Sequence, residues 1–387
     1  MPTKSSSISR TAKSGSPKPA ARATKKTARV ARTVRAAASK AKGSAKPAPK
    51  QSKPAKRALA DLPSLALKRV WQGEKQIGEA PLVWVNGRMV PKNKAMVSVY
   101  DHGLLYGDGI FEGIRVYKGK IFKCKQHIER LYRCADKIHL SIPISPEEMV
   151  QVQRDCIEAN GLVDGYIRLV VTRGYGTLGL DPRRCPVAGV ICIADQIALF
   201  KPEFYDHGMR VIVAKRPKTP VACLDPRVKS LNYLNNILAK VEAIMAGCDE
   251  AIMLSPDGWV VECTGDNIFV IKNGKIYTPP ALSGTPDHLV AGQPQGGLLE
   301  GVTRRFVMDE LAPMCGYEVE EKMMRLEEVV DADEVFLTGT AAEIIAVPQI
   351  DTPDGVAHKI SVGEGKITNQ LRMKFRQIVT SDAIPED

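Results

Sequence analysis

Lys229 is the residue of this chain best placed to act as a nucleophile. It stands in Arg227-Val228-Lys229-Ser230-Leu231-Asn232-Tyr233-Leu234-Asn235-Asn236, at the end of an extended, proline-punctuated segment. The residues that follow are apolar or amide-bearing rather than charged. An amine with little water around it sheds its proton more easily and can condense with an aldehyde as a Schiff base. Further along, Glu262 lies in Val260-Val261-Glu262-Cys263-Thr264-Gly265-Asp266-Asn267, a carboxylate on a strand pattern. Taken singly, such a lysine reads as solvated surface and such a glutamate as solvent-facing. Their meaning depends on the elements that position them.

A helical pattern is expected from Leu231 to Ala246, closed by Gly247, so that Tyr233 shares a helical face with Lys229. Upstream, Leu82 to Val90 alternates around Asn86-Gly87, a hairpin signal. The glycine-rich stretch Gly103 to Gly113 leads into strands Gly113–Tyr117 and Gly119–Phe122. Gln126 to Ile138 has helical spacing, and Ser145-Pro146-Glu147-Glu148 opens a second helix that runs to Asn160-Gly161. Strands follow at Tyr166–Thr172 and Gly189–Ala194. A linker at 199–204 leads to the strand Arg210–Ala214. After the lysine block come strands at Ala251–Leu254, Trp259–Glu262, Ile268–Ile271 and Lys275–Thr278, and then a helix from Thr303 to Met314. Glu334–Leu337 and Glu343–Val347 flank a Thr-Gly-Thr corner.

Several separated motifs agree in order with one family. They are Tyr106-Gly107-Asp108-Gly109-Ile110-Phe111-Glu112-Gly113-Ile114-Arg115, His127-Ile128-Glu129-Arg130-Leu131, Tyr166-Ile167-Arg168, the lysine block, Glu300-Gly301-Val302-Thr303-Arg304 and Thr338-Gly339-Thr340-Ala341-Ala342-Glu343. Together they resemble the fold-type IV, pyridoxal-phosphate-dependent aminotransferases, most closely the branched-chain amino acid aminotransferases, from about Leu82 to about Phe375. The resemblance implies a two-domain α+β fold like that of D-amino acid aminotransferase. A small α+β domain spans 82–198 and a larger, barrel-like α/β domain that binds pyridoxal 5′-phosphate spans 205–387.

By the same resemblance Lys229 carries the cofactor and acts as base and acid, Glu262 faces the ring nitrogen, and Tyr233 donates to the 3′-oxygen. Arg130, Val302, Thr303 and Thr340 form the phosphate cup. The substrate side comprises Tyr106, Phe111, Arg115, Tyr166 and Arg168, with backbone donors at Thr340 and Ala341. The implied reaction moves nitrogen between leucine, isoleucine or valine and 2-oxoglutarate or glutamate, in a homodimer or higher homo-oligomer. A D-amino acid transaminase and an aminodeoxychorismate lyase are the rivals within the fold. Two departures stand out: the segment from Ala281 to Leu299 is longer than the family pattern, and Ala346 stands where proline is common.

The net charge of +12 is an average of unlike parts. Residues 1–60 hold 17 Lys or Arg and no acidic residue, while the rest carries 38 basic against 43 acidic groups, a net of −5. The basic Ala/Lys/Pro-rich tail buries too little to order itself, and 61–81 reads as a linker. The tail reads as a nucleic-acid-binding arm, an organellar transit peptide or a solvated extension. If the tail were the working part, the chain would be a nucleic-acid-associated protein, although no aromatic precedes Trp71 to stack on bases. The nine cysteines show neither Cys-x-x-Cys pairs nor metal spacing, so reduced thiols and no metal are expected. No apolar run is long enough for a membrane span. The cytoplasm is the expected compartment, or an organelle if the tail is a transit peptide in a eukaryote.

Overall fold

The computed structural model describes residues 82–196, 203–281 and 297–381. The basic tail, the 61–81 linker and the greater part of the 281–299 segment lie outside them. Among the described residues no helix is long and apolar enough to cross a membrane.

Strands Leu82–Val85 (β1) and Arg88–Pro91 (β2) form the expected hairpin. Asn86 and Gly87 take φ +47° and +91°, the two positive values that a type I′ turn requires. A short helix, His102–Tyr106 (α1), precedes Gly109–Tyr117 (β3) and Lys120–Ile121 (β4). With Gly165–Thr172 (β5) and Gly189–Asp195 (β6) these make a six-stranded antiparallel sheet, ordered β2-β1-β6-β5-β3-β4. Helices Cys124–Lys137 (α2) and Pro146–Ala159 (α3) bury Ile128, Leu131, Met149 and Cys156 with Ile114, Ile167 and Leu169 of the sheet. The start of α3 is as the sequence suggests: Ser145 Oγ accepts from Glu148 N, Glu148 accepts from Ser145 N, and Pro146 fills the first turn.

The expected 199–204 linker ends in structure, because Glu203 and Phe204 open the helix Glu203–His207 (α4); residues 199–202 lie outside the described set. Beyond it run Arg210–Val213 (β7), the helix Leu234–Met245 (α5), Glu250–Leu254 (β8), Val260–Cys263 (β9), Asn267–Lys272 (β10) and Lys275–Thr278 (β11). Next come the helix Val302–Phe306 (α6), Val319–Glu321 (β12), Glu334–Gly339 (β13), Glu343–Ala346 (β14), Gln349–Asp351 (β15), Ala357–Lys359 (β16) and the helix Lys366–Val379 (α7). Two five-stranded sheets result, β12-β11-β10-β13-β14 and β16-β15-β7-β8-β9. Both contribute to one core, in which Val211, Ile252 and Val260 meet Ile268, Val270 and Leu337.

Two expectations need correcting. The helix after Lys229 begins at Leu234, not Leu231, so Tyr233 caps it rather than lying within it. The residues before it are drawn into extended pairing with β3 instead: Phe111 N donates to Lys229 O at 3.0 Å, Leu231 N donates to Gly109 O at 2.9 Å, and Ser230 bridges Ile110. The helix expected from Thr303 to Met314 is interrupted by a π-turn at Val307–Leu311, just before Pro313, which has no N–H to continue an α-helical ladder.

Candidate active site

The backbone clamp between Lys229–Leu231 and β3 fixes where the lysine side chain starts. Lys229 Nζ then reaches 3.2 Å from Tyr233 Oη and lies over the Phe111 ring, 4.6 Å from its centroid. Lys229 and Tyr233 line two adjoining cavities, so the amine stands at their junction.

All seven residues expected to hold the cofactor line the first cavity: Arg130, Lys229, Tyr233, Glu262, Val302, Thr303 and Thr340. At one end lies Glu262, on β9 and largely buried. Its Oε1 pairs with Lys218 Nζ at 2.6 Å, and Oε2 accepts from Leu299 N at 3.0 Å and Asn267 Nδ2 at 3.2 Å. A carboxylate has about four lone-pair sites, so one remains for a further donor.

At the other end Arg130 enters from α2. Its Nε and Nη2 grip both oxygens of Glu112 at 2.7 Å, and Nη1 donates to Glu300 O at 2.7 Å. His127 Nδ1 adds a contact of 2.8 Å to the same carboxylate. Burial alone raises the pKa of the Glu112 carboxyl, but Arg130 and His127 outweigh it and hold the group well below the usual carboxylate range. Burial in turn keeps the His127 imidazole below its ordinary value, against the pull of Glu112. Beside Arg130, α6 opens at Gly301 with no side-chain cap; a side chain there would collide with Asn267. Thr338 Oγ1 lines the same cavity, buried and, among the described residues, without a hydrogen-bond partner. A cationic anchor, an uncapped helix start and an orphaned hydroxyl suit a bound phosphate group. With an amine and a carboxylate at fixed places further along, the residues present fit pyridoxal phosphate.

The second cavity, about 390 Å³, is lined by Phe111, Tyr166 and Arg168 with Val170, Leu231 and Gly265. The Arg168 guanidinium lies 4.7 Å from the Phe111 centroid and 5.3 Å from that of Tyr166. Tyr166 Oη crosses Gly113, where a Cβ would occupy its place, and burial pushes the Tyr166 phenol up, so that it stays neutral. Three expected substrate residues do not line either cavity in this chain. Tyr106 is exposed at the end of α1, its Oη accepting from Gly179 N at 3.0 Å. Arg115 turns to Glu343, 3.6 Å from Oε1, and Ala341 follows Thr340 in the β13–β14 turn. The buried Glu343 carboxylate also takes Tyr117 Oη at 2.8 Å and Arg376 at 3.0 Å.

Sequence reasoning missed Glu112, Lys218, Asn267 and Asn236, the last of which donates to Thr264 O at 2.7 Å. Glu112 carried a usable signal: it alternates with Ile110 and Ile114 on one strand face, and a charge on an apolar face implies buried partners. Lys218 carried none, since its pairing with Glu262 joins a loop to a strand distant in sequence.

A family model described as amino-transferase class IV matches residues 109–350. A putative branched-chain-amino-acid aminotransferase of Methanocaldococcus jannaschii is 47% identical over 298 residues, covering 77% of this chain and 96% of its own. The branched-chain-amino-acid aminotransferase of Pseudomonas aeruginosa is 33% identical, covering 77% and 93%. Among solved structures, the branched-chain amino acid aminotransferase of Escherichia coli superposes with a TM-score of 0.71 at 30% identity, covering 78% of this chain and 95% of that one. Another branched-chain amino acid aminotransferase, crystallised with pyridoxamine 5′-phosphate, superposes with a TM-score of 0.70 at 34% identity and the same coverage. The chain belongs to the class IV aminotransferases.

Glu112→Gln removes the charge that Arg130 faces. Breaking a buried pair from one side is expected to cost about 3–5 kcal/mol of stability, read by urea unfolding at pH 7. Because the folded state holds Glu112 deprotonated, that contribution is present above the ordinary carboxylate range and lost as the pH falls. A loss below about 1 kcal/mol contradicts this reading of the pair.

Proposed function

We propose that this chain is an L-branched-chain amino acid:2-oxoglutarate aminotransferase, with pyridoxal phosphate carried on Lys229. The observation that carries the reading is the place of Lys229 Nζ, shared between a cavity with a carboxylate at one end and an arginine at the other and a second cavity with apolar walls and one guanidinium. Relatives and solved structures of the same family support it, the latter including one with pyridoxamine 5′-phosphate.

Bound in the first cavity, pyridoxal phosphate supplies an electron sink for the substrate's Cα. Glu262 holds a proton at the ring nitrogen through a charge-assisted bond. Arg130, with Val302, Thr303 and Thr340, holds the phosphate. Tyr233 Oη, 3.2 Å from the amine, orients Lys229 Nζ, which would take the proton from Cα of the donor amino acid and, in the second half-reaction, supply one to Cα of the 2-oxo acid acceptor. Phe111, Val170 and Leu231 offer an aliphatic side chain an apolar wall, and Arg168 offers a carboxylate its cation.

We also propose that the smaller part divides from the larger between β6 and β7, since residues 110–194 supply all but Val228 of one hydrophobic cluster and residues 209–350 all of another, while Tyr117 and Phe122 pack with Phe269 and Phe306 across the division. The scattered thiols support a reducing compartment such as the cytoplasm. A homodimer or higher homo-oligomer is supported by exposed apolar side chains. Tyr100, Leu104, Leu105 and Tyr106 stand beside Tyr175, Leu178 and Leu180, tied by the Asp101–Tyr175 bridge and the Tyr106–Gly179 bond. Sedimentation at micromolar concentration is expected to show at least a dimer, and a monomer removes this part of the proposal.

The activity is tested by the absorption spectrum of the holoenzyme with L-leucine and, separately, with D-alanine. Loss of the cofactor band with L-leucine alone, restored by 2-oxoglutarate, is expected. Bleaching by D-alanine instead assigns the chain to the D-specific branch, and a band that neither changes favours the lyase. Lys229→Ala is expected to lower kcat/KM by roughly a thousandfold or more, the scale of a lost general base. Near-normal turnover contradicts the assignment.

A further inference from the structure

Asp266 is the one acidic side chain in the cofactor cavity that the proposed function leaves without a task. It follows β9 and faces the end of β13, its carboxyl packed so closely on Gly339 that a Cβ there would overlap it. Gly339 lies between Thr338 and Thr340, and all three line the same cavity as Asp266. The residue is more than nine-tenths buried, and among the described residues its side chain has neither a hydrogen bond nor an ion pair.

The charged and titratable groups facing it come from five parts of the fold. Lys229 approaches from the segment before α5 and Lys240 from α5 itself. Glu250 lies on β8, Glu262 and Cys263 on β9, and Tyr205 on α4. Each cation is committed elsewhere: Lys240 to Glu250 at 2.9 Å and Lys229 to Tyr233 Oη at 3.2 Å. Glu250 and Glu262 each have donors of their own: Glu262 meets Lys218, and Glu250 meets Lys240 and Thr264 N. A buried carboxyl with no donor and two carboxylates nearby favours its neutral form. In accord with this, burial first and Glu250 second push the Asp266 carboxyl up to about 7, against the opposing pull of Lys240 and Lys229.

We propose that Asp266 is a proton-holding residue packed against Gly339, next to Thr340 of the phosphate cup, neutral when the anion is bound, and that its ionisation weakens the hold on the phosphate. The proposal rests on the reading of Arg130, Val302, Thr303 and Thr340 as the phosphate cup. Below neutrality the side chain presents no charge to the phosphate. Above it, a carboxylate at Asp266 repels the dianion, and binding the phosphorylated cofactor requires uptake of a proton. Asp266 is a positioning residue here, not a catalytic one.

The test is the dissociation constant of pyridoxal phosphate from the full-length holoenzyme, by equilibrium dialysis from pH 6 to 8.5, for the natural protein and for Asp266→Asn. Taking their ratio cancels the titration of the cofactor's own phosphate, which both measurements share. The ratio is expected to be near one at pH 6 and to rise to roughly tenfold or more at pH 8.5, with the variant binding more tightly. If the Asn variant does not fold, Asp266→Ser supplies the neutral side chain. Unphosphorylated pyridoxal, run in parallel, is expected to bind more weakly and to show no such rise. A ratio flat across the range with the phosphorylated cofactor overturns the proposal and leaves the phosphate cup standing. Equal affinities for pyridoxal and pyridoxal phosphate overturn the phosphate cup, and this proposal with it.

Discussion

The short extended pairing between Lys229–Leu231 and the start of β3 is the contact on which the rest of the site depends. Two backbone hydrogen bonds, from Phe111 N and Leu231 N, join the segment that carries the lysine to the six-stranded sheet that carries Phe111. The lysine is thereby fixed from both sides, by the sheet through its main chain and by α5 through Tyr233. A side chain launched from a helix could swing over several rotamers. This one starts from paired backbone, passes over an aromatic ring and ends against a phenol. The same pairing joins the two cavities, because Phe111 lines one and Lys229 lines both.

Around that clamp the charges are paired in a pattern that leaves few idle. Glu112 meets Arg130 and His127, Glu262 meets Lys218, and Glu250 meets Lys240. Such buried pairs add little net stability, since desolvation offsets most of their attraction, but each fixes one group in one orientation. Arg130 shows the use of this. Two of its nitrogens are taken by Glu112 and a third by Glu300 O, so it faces the cavity as a fixed charge. Preorganisation of this kind means that a bound anion need not order the site itself.

Much of this was legible in the chain. The Asn86-Gly87 hairpin, the Ser145/Glu148 cap and the strand runs of the larger part follow from local rules of turn and cap chemistry, which act within a few residues. The seven cofactor positions were legible only through motif order, because what gathers them is the packing of two sheets and three helices. Two of the differences share one physical origin. Leu231 to Tyr233 had helical composition, yet Leu231 is drawn into pairing with β3 and the helix begins only after Tyr233. Arg115, placed on the substrate side by resemblance, stands 3.6 Å from Glu343, which is held with φ +59° at the start of β14. In each case a tertiary partner distant in sequence outweighed the local preference, and no pattern within a window of residues records such a partner.

The central claim is that one particular amine carries the cofactor, and a second buried lysine, Lys218, lies near the same carboxylate and could compete for that role. Reduction of the holoenzyme with borohydride, followed by peptide mapping, distinguishes them directly. The account predicts a single phosphopyridoxyl adduct on the peptide that contains Lys229, with Lys218 unmodified. An adduct on Lys218, or none on Lys229, contradicts it.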